Sequence, residues 1–159
     1  MILYRTWAIA LCLATLLVAC GRQAPECPYR EAVETAPSAG CFSVRDGELL
    51  LVQGMNGSIS LPGGLAKPGE SARCTAFRET WEETGLKLEP REVLQVFPTG
   101  FYLFRCDRDS ASGEIDPPTR FEVRDVLYLP PARFGEYEWR YPDQARLLRL
   151  MLSEQAPAG

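Results

Sequence analysis

The sequence contains no histidine. That absence removes Ser-His-Asp and Cys-His nucleophile systems and every His-bearing zinc site. Chemistry must then come from carboxylates, Arg, Lys, Tyr, Ser/Thr or Cys. Positive charge is also short: 17 basic against 21 acidic residues give a net charge of −4. This argues against a general nucleic-acid binder, and no nucleic acid polymer is expected as a partner. No internal repeat is present. The uncharged N-terminal stretch over residues 6–19 spans about 21 Å as a helix, short of the ~30 Å hydrocarbon core of a bilayer. What remains is ordinary: 159 residues, 46% apolar and 24% charged, suit one domain and exclude wholesale disorder.

The uncharged run follows a lone Arg5 and ends in Leu17-Val18-Ala19-Cys20. A basic n-region, a short apolar stretch and small residues before a cut read as a secretory signal over residues 1–19. The tetrapeptide resembles the lipobox of bacterial lipoproteins. That resemblance implies that Cys20 is acylated and becomes the mature N-terminus, lipid-anchored in the bacterial cell envelope on the periplasmic or extracytoplasmic side. The alternatives are an uncleaved anchor, or a plain secretory signal with Cys20 incidental. The remaining 140 residues carry 16 basic and 21 acidic groups, a net −5. Acyl chains rather than basic residues would hold such a protein on a membrane.

Of the six cysteines, export leaves Cys27, Cys41, Cys74 and Cys106 in an oxidising compartment, which suggests two disulfides with three possible pairings. The favoured pairing is Cys27–Cys41, stapling the N-terminal segment to the domain, with Cys74–Cys106 tying a helix to a strand. The alternative leaves Cys74 and Cys106 as small buried thiols.

Residues 20–39 are rich in Pro, Ala and Glu without apolar period and read as a lipid-anchored tether, with a short ordered piece near Cys27. The domain proper is placed at 40–159. Asp46-Gly47 marks a hairpin turn, and residues 55–58 a second turn rich in Gly and Asn. Residues 71–84 read as a helix, with Ser71 as N-cap and Gly85 as stop. Two strand-like pieces (LKLE and EVLQVF), then GFYLFRC, a polar loop over 107–119, a strand over 121–129 and a helix over 143–154 complete the chain. This alternation predicts an α/β fold, a mixed central sheet in an α/β/α sandwich.

Stepping about 100° per residue from Glu79 puts Glu82 at about 300° and Glu83 at about 40°, so three carboxylates share one helix face. Cys74, Phe77 and Trp81 form an apolar stripe opposite. Clustered acids repel, and two of them sit where the helix macrodipole disfavours anions. Arg78 is one compensating cation; a divalent metal is the natural remainder. All-oxygen ligation points to Mg²⁺ or Mn²⁺.

As spacing, the segment reads Gly64, five residues, Glu70, seven residues, Arg78-Glu79-Thr80-Trp81-Glu82-Glu83-Thr84-Gly85-Leu86. It resembles the Nudix box, G-x5-E-x7-R-E-U-x-E-E-x-G-U with U apolar, at every fixed position. Thr80 at the first U position is the one departure. At roughly 6% usage per residue type, seven fixed positions match by chance about 3 × 10⁻⁹ of the time. The resemblance implies that Glu82 and Glu83 are the principal metal ligands and Glu79 a further ligand or the water-activating base. Arg78 would fix their rotamers, Glu70 would support the cluster, and the Gly63 carbonyl could join the ligand set. It also implies Mg²⁺- or Mn²⁺-dependent hydrolysis of a small-molecule diphosphate, a nucleoside diphosphate linked to another moiety or a related compound. The alternative is a non-catalytic lipoprotein that uses the same fold to bind a diphosphate ligand or a partner protein. A third reading makes it a cytoplasmic nucleotide-sanitising enzyme.

Family members often draw one more carboxylate from beyond the box, and Glu114, Asp116 and Glu122 are candidates. Glu122 is preferred, because a strand would hold it rigidly near the helix. Tyr137, Trp139 and Tyr141 flank Arg140. Trp139 and Arg140 could stack on a base or hold a phosphate; the alternative is an aromatic lid on the core.

Overall fold

The computed structural model describes residues 22–29, 34–119 and 121–155. Residues 1–21, including Cys12 and the candidate lipidation site Cys20, lie outside the described residues. Eight strands, two α-helices and one 3-10 helix follow in the order β1 (Ser38–Phe42), β2 (Val44–Arg45), β3 (Glu48–Gly54), β4 (Ile59–Ser60), β5 (Gly63–Leu65), α1 (Ala72–Thr84), β6 (Leu88–Val96), β7 (Phe101–Arg108), β8 (Val123–Leu129), the 3-10 turn Pro131–Glu136, and α2 (Gln144–Gln155).

Alternation along buried strands sends neighbouring side chains to opposite faces. Here it builds two cores. Leu50 and Val52 of β3, Ala39 and Cys41 of β1 and Phe104 of β7 pack with Ala72 and Ala76 of α1. Their neighbours Leu49 and Leu51, Phe42 and Leu103 pack instead with Phe134 and with Leu148 of α2. Helices therefore cover both faces of the sheet layer, as the α/β/α expectation requires. That layer consists of two sheets. One is mixed, in the order β5-β1-β7-β6 with β1 and β7 parallel; the other is antiparallel, β2-β3-β4 with β8 paired to β3.

Most elements fall where the sequence placed them, and the differences have local causes. The Asp46-Gly47 turn has positive φ at both residues (53° and 79°), the hairpin geometry that joins β2 to β3. The two pieces read after the box helix are one strand, β6, with register shifts between Pro90 and Gln95. It lies at the sheet edge, where a proline without an N–H is tolerated. β7 runs to Arg108 before the polar loop begins, and β8 starts at Val123 rather than at residue 121. The predicted apolar stripe of α1 does not face the sheets. Cys74 and Phe77 lie beneath residues 22–29, where the Tyr29 ring meets Phe77 edge-on at 6.2 Å, while Ala72 and Ala76 meet the core.

The disulfide pairing read from the sequence is corrected: Cys27 bonds Cys74, and Cys41 bonds Cys106. The reason is the parallel pairing of β1 with β7, which sets Cys41 opposite Phe104. Cys106, two residues further along, points to the same buried face. Cys74 points outward from α1, where residues 22–29 bring Cys27 to it.

Candidate active site

Local chemistry fixes the ends of α1. The Ser71 hydroxyl accepts from the Cys74 N–H at 3.2 Å, and Gly85, at φ 75°, donates its N–H to the Trp81 carbonyl. Three of the four box carboxylates, Glu70, Glu79 and Glu82, then gather around the buried Arg78. Its Nε and Nη2 donate to the two oxygens of Glu70 at 2.8 and 2.7 Å. Nη1 donates to Glu79 Oε1 at 2.6 Å and to Glu82 Oε2 at 2.9 Å, and Nη2 donates also to the Leu65 carbonyl at 2.9 Å. Such a fork of charge-assisted bonds holds each acid in one rotamer. Glu70 also accepts from the Lys67 N–H and the Thr75 hydroxyl. Burial works against its charge, but Arg78 and these donors hold its carboxyl down at about 2.

Glu83 is set differently. Its Oε2 accepts the Gly63 N–H at 2.8 Å. Burial, with the nearby charges of Glu79 and Glu122, pushes its carboxyl up to about 8 despite that bond. Burial also raises Glu79, against the pull of Arg78. Gly64 is demanded by sterics: a Cβ there would stand 2.4 Å from Glu79 Oε2. Gly85 closes against the Asp116 backbone in the same way, 2.3 Å from a Cβ to its carbonyl oxygen.

Thr80, the departure from the box pattern, is fully buried, and its hydroxyl has no hydrogen-bond partner among the described residues. A buried unpaired hydroxyl costs about 1 kcal/mol or more. Thr80→Val keeps the shape and removes the penalty, so it should raise the melting temperature by a few degrees, on the order of 1 kcal/mol. Calorimetry showing a lower melting temperature would contradict this account.

Beside the helix is a cleft of about 280 Å³ lined by Val52, Gly54, Met55, Asn56, Ser58, Ser60, Glu83, Glu122, Val123 and Arg140. Of the three carboxylates considered beyond the box, the structure brings Glu122 to this cleft. Asp116 pairs with Arg22, and Glu114 lies 4.0 Å from Arg108. Glu122 is not held within a strand, as the sequence suggested; it is exposed in the turn just before β8. Arg140 is the one cation among the lining residues. Backbone bonds between Ile59 and residues Glu138 and Arg140 carry it there. Alternation turns the adjacent Trp139 the other way, where its indole N–H donates to the Phe134 carbonyl at 2.9 Å and its ring stacks edge-on at 5.0 Å. Trp139 is thus a packing residue and not a wall of the cleft. Lys67, 3.8 Å from Glu82, and the cleft wall formed by Met55, Asn56 and Ser58 carried no sequence signal beyond a turn. Thr119 likewise went unread: its hydroxyl donates to the Glu82 carbonyl at 2.5 Å.

Comparison with known proteins accords with this geometry. The NUDIX domain family matches residues 34–151. The chain is 33% identical over 104 residues to a MutT-like protein of Streptomyces ambofaciens, covering 62% of this chain and 65% of that protein. It is 34% identical over 86 residues to nucleoside diphosphate-linked moiety X motif 6 of Mus musculus, covering 52% of this chain and 28% of that protein. The matched stretch thus spans less than two thirds of either relative. Among solved structures, a UDP-X diphosphatase superposes with TM-score 0.63 at 22% identity, over 80% of this chain and 66% of that one. An ADP-ribose pyrophosphatase from Streptococcus suis gives TM-score 0.60 at 22% identity, over 77% and 92%. At that identity the superpositions establish the fold. Together with the match over residues 34–151, they make this chain a member of the Nudix family.

Proposed function

We propose that the protein is a hydrolase of a small-molecule diphosphate, dependent on Mg²⁺ or Mn²⁺, and that a lipid on Cys20 holds it on the outer side of the cytoplasmic membrane. The observation that carries the hydrolase reading is the Arg78-centred carboxylate cluster opening, through Glu83, into a cleft that also presents Glu122 and Arg140. The names of its relatives, a nucleoside diphosphate-linked moiety X protein and a UDP-X diphosphatase, support a substrate of the same kind.

Among the described residues no three Cys, Asp or Glu side chains form a ready-made metal-binding group. One oxygen each of Glu79 and Glu82 is engaged by Arg78, and one of Glu83 by Gly63. The donor set nevertheless fits a hard divalent ion: it is all oxygen, and two of its carboxyls are pushed upward by burial. Glu79, Glu82 and Glu83 would hold the ion, with the Gly63 carbonyl and Glu122 completing the set. Bound there, it would neutralise phosphate oxygens and lower the pKa of an attacking water. Arg78 keeps Glu79 and Glu82 in fixed rotamers, so little reorganisation is needed when substrate arrives. Arg140 would hold a phosphate oxygen, and Glu79 is placed as a further ligand or as the base that takes the proton from water.

A panel of nucleotide sugars, dinucleoside polyphosphates and lipid-linked diphosphates, run with Mg²⁺ and with Mn²⁺ on the oxidised, signal-free protein, tests the reading. Turnover of at least one class should require the cation and fall on the order of 10²-fold or more in Glu82→Gln. Metal-independent binding without turnover across the panel would sink the hydrolase in favour of a binding protein.

A further inference from the structure

The cleft has one wall that hydrolysis leaves unused, the turn joining β3 to β4. Its own backbone closes it: the Gly54 N–H donates to the Ser58 carbonyl and the Gly57 N–H to the Gly54 carbonyl, each at 2.9 Å. Gln53 Nε2 adds a third bond, 2.7 Å to the Gly57 carbonyl. Within this frame Asn56 Oδ1 accepts twice, from the Ser58 N–H at 3.2 Å and from the Ser58 hydroxyl at 2.9 Å. A backbone N–H can only donate, so the orientation of the amide is set. Both lone pairs of Oδ1 are taken, and the Nδ2 hydrogens are what the Asn56 amide has left. Ser58 has committed its one hydroxyl proton, so its oxygen can only accept. Asn56 and Ser58 line the cleft, and alternation adds Ser60 on the same face while Ile59 turns into the core. The wall thus presents a donor beside an acceptor, with a further hydroxyl on the side where the chain runs on to Gly63, the partner of Glu83.

We propose that Asn56 and Ser58 determine substrate specificity by hydrogen-bonding adjacent hydroxyls of a sugar esterified to the diphosphate. This rests on the cleft being a diphosphate site, and it names the moiety that the cleft selects. A sugar hydroxyl both donates and accepts, so two neighbouring hydroxyls answer Asn56 Nδ2 and Ser58 Oγ in either order. An alkyl or isoprenoid alcohol offers nothing to either, and covering the wall with it strips water from both polar atoms without replacement. Position along the cleft favours a sugar over a nucleobase. Arg140, the candidate phosphate holder, donates its backbone N–H to the Ile59 carbonyl at 2.9 Å, so the phosphate end flanks the strand that Ser58 leads into. The group within reach is the one joined directly to phosphate, and in a nucleotide or a nucleotide sugar that group is a sugar. Val52, Met55 and Val123 supply apolar surface for the C–H face of its ring. A volume of about 280 Å³ stands at the low end for ligand clefts, ~300–1,000 Å³, and the far moiety stays outside.

Calorimetric titration of the full, oxidised protein with methylene-bridged diphosphate esters tests this, because the bridge blocks hydrolysis and binding is read by itself. One ester carries ribose, one glucose and one n-pentanol, each with Mg²⁺ present. The better of the two sugar esters should bind at least about tenfold more tightly than the pentyl ester, the effect of two hydrogen bonds between neutral partners. Which sugar it is tells a pentose from a hexose source. Asn56→Ala and Ser58→Ala should each cut that preference at least about threefold while changing the pentyl ester's affinity less than about twofold. Equal affinity for all three esters, a preference that survives both substitutions, or no binding of any ester overturns the proposal. An equal loss for all three esters also overturns it, since the two residues would then only shape the turn. Selective binding without turnover of the oxygen-bridged esters sinks the hydrolase instead and leaves the sugar recognition standing.

Discussion

Arg78→Ala should lower the melting temperature by roughly 8–16 °C, the equivalent of about 3–5 kcal/mol for removing one partner from a buried ionic network. Arg78 is 8% exposed and its guanidinium makes five hydrogen bonds, to Glu70, Glu79, Glu82 and the Leu65 carbonyl. Without it, three carboxylates would face one another with only the exposed Lys67, 3.8 Å from Glu82, as a nearby cation. The Glu70 carboxyl, now held at about 2, would rise toward its usual 4.5 or beyond. Glu70 with its folded-state value depressed contributes stability that is present above about pH 4.5 and lost as pH falls toward 2. The wild-type protein should therefore lose stability across that acidic window, and the variant should show a flatter dependence there. Arg78→Lys should recover part of the stability but little activity, since an ammonium cannot fork to three acids at once. A melting temperature within 2 °C of the parent for the alanine variant, by calorimetry at neutral pH and about 0.1 M salt, would show that the network is not holding this helix in place.

Glu83→Gln should do the reverse: activity should fall on the order of 10²–10⁴-fold while the metal-free protein becomes more stable near neutral pH. The amide oxygen can still accept the Gly63 N–H that now bonds Glu83 Oε2 at 2.8 Å, so the fold is kept. The sign follows from the shift. A carboxyl raised from 4.5 to about 8 favours folding fully only while protonated, so its contribution is present below about pH 4.5 and is lost as pH climbs toward 8. Wild-type stability should thus decline across that range without divalent ion, and the amide should remove the decline. On the proposed reading, burying Glu83 for chemistry costs stability, a trade-off common at active sites. Denaturant titrations of both proteins at pH 5 and pH 8 decide it: parallel loss of stability in parent and variant would show that Glu83 is not the group responsible.

The fold was legible in the sequence wherever a local rule applied. Ser71 and Gly85 delimit α1 by capping chemistry, and Asp46-Gly47 folds a hairpin for reasons contained in two residues. The carboxylate cluster was legible as well, because helical spacing alone puts Glu79, Glu82 and Glu83 on one face beside Arg78. Glu122 and Arg140 were readable only as candidates, since neither lies near α1 in sequence. The turn before β8 and the bonds of residues 138–140 to Ile59 bring them to Glu83.

Residue order along the chain thus determined the helix, its acidic face and the family it belongs to, each set by interactions spanning a few positions. Tertiary structure decided the rest. Parallel pairing of β1 with β7 chose the disulfides, extended backbone at residues 138–140 turned Trp139 inward and Arg140 outward, and the fastening of residues 22–29 along α1 covered Cys74 and Phe77. Contacts between segments tens of residues apart depend on which strands become neighbours, and that choice is made by burial of the whole apolar surface at once rather than by any short stretch.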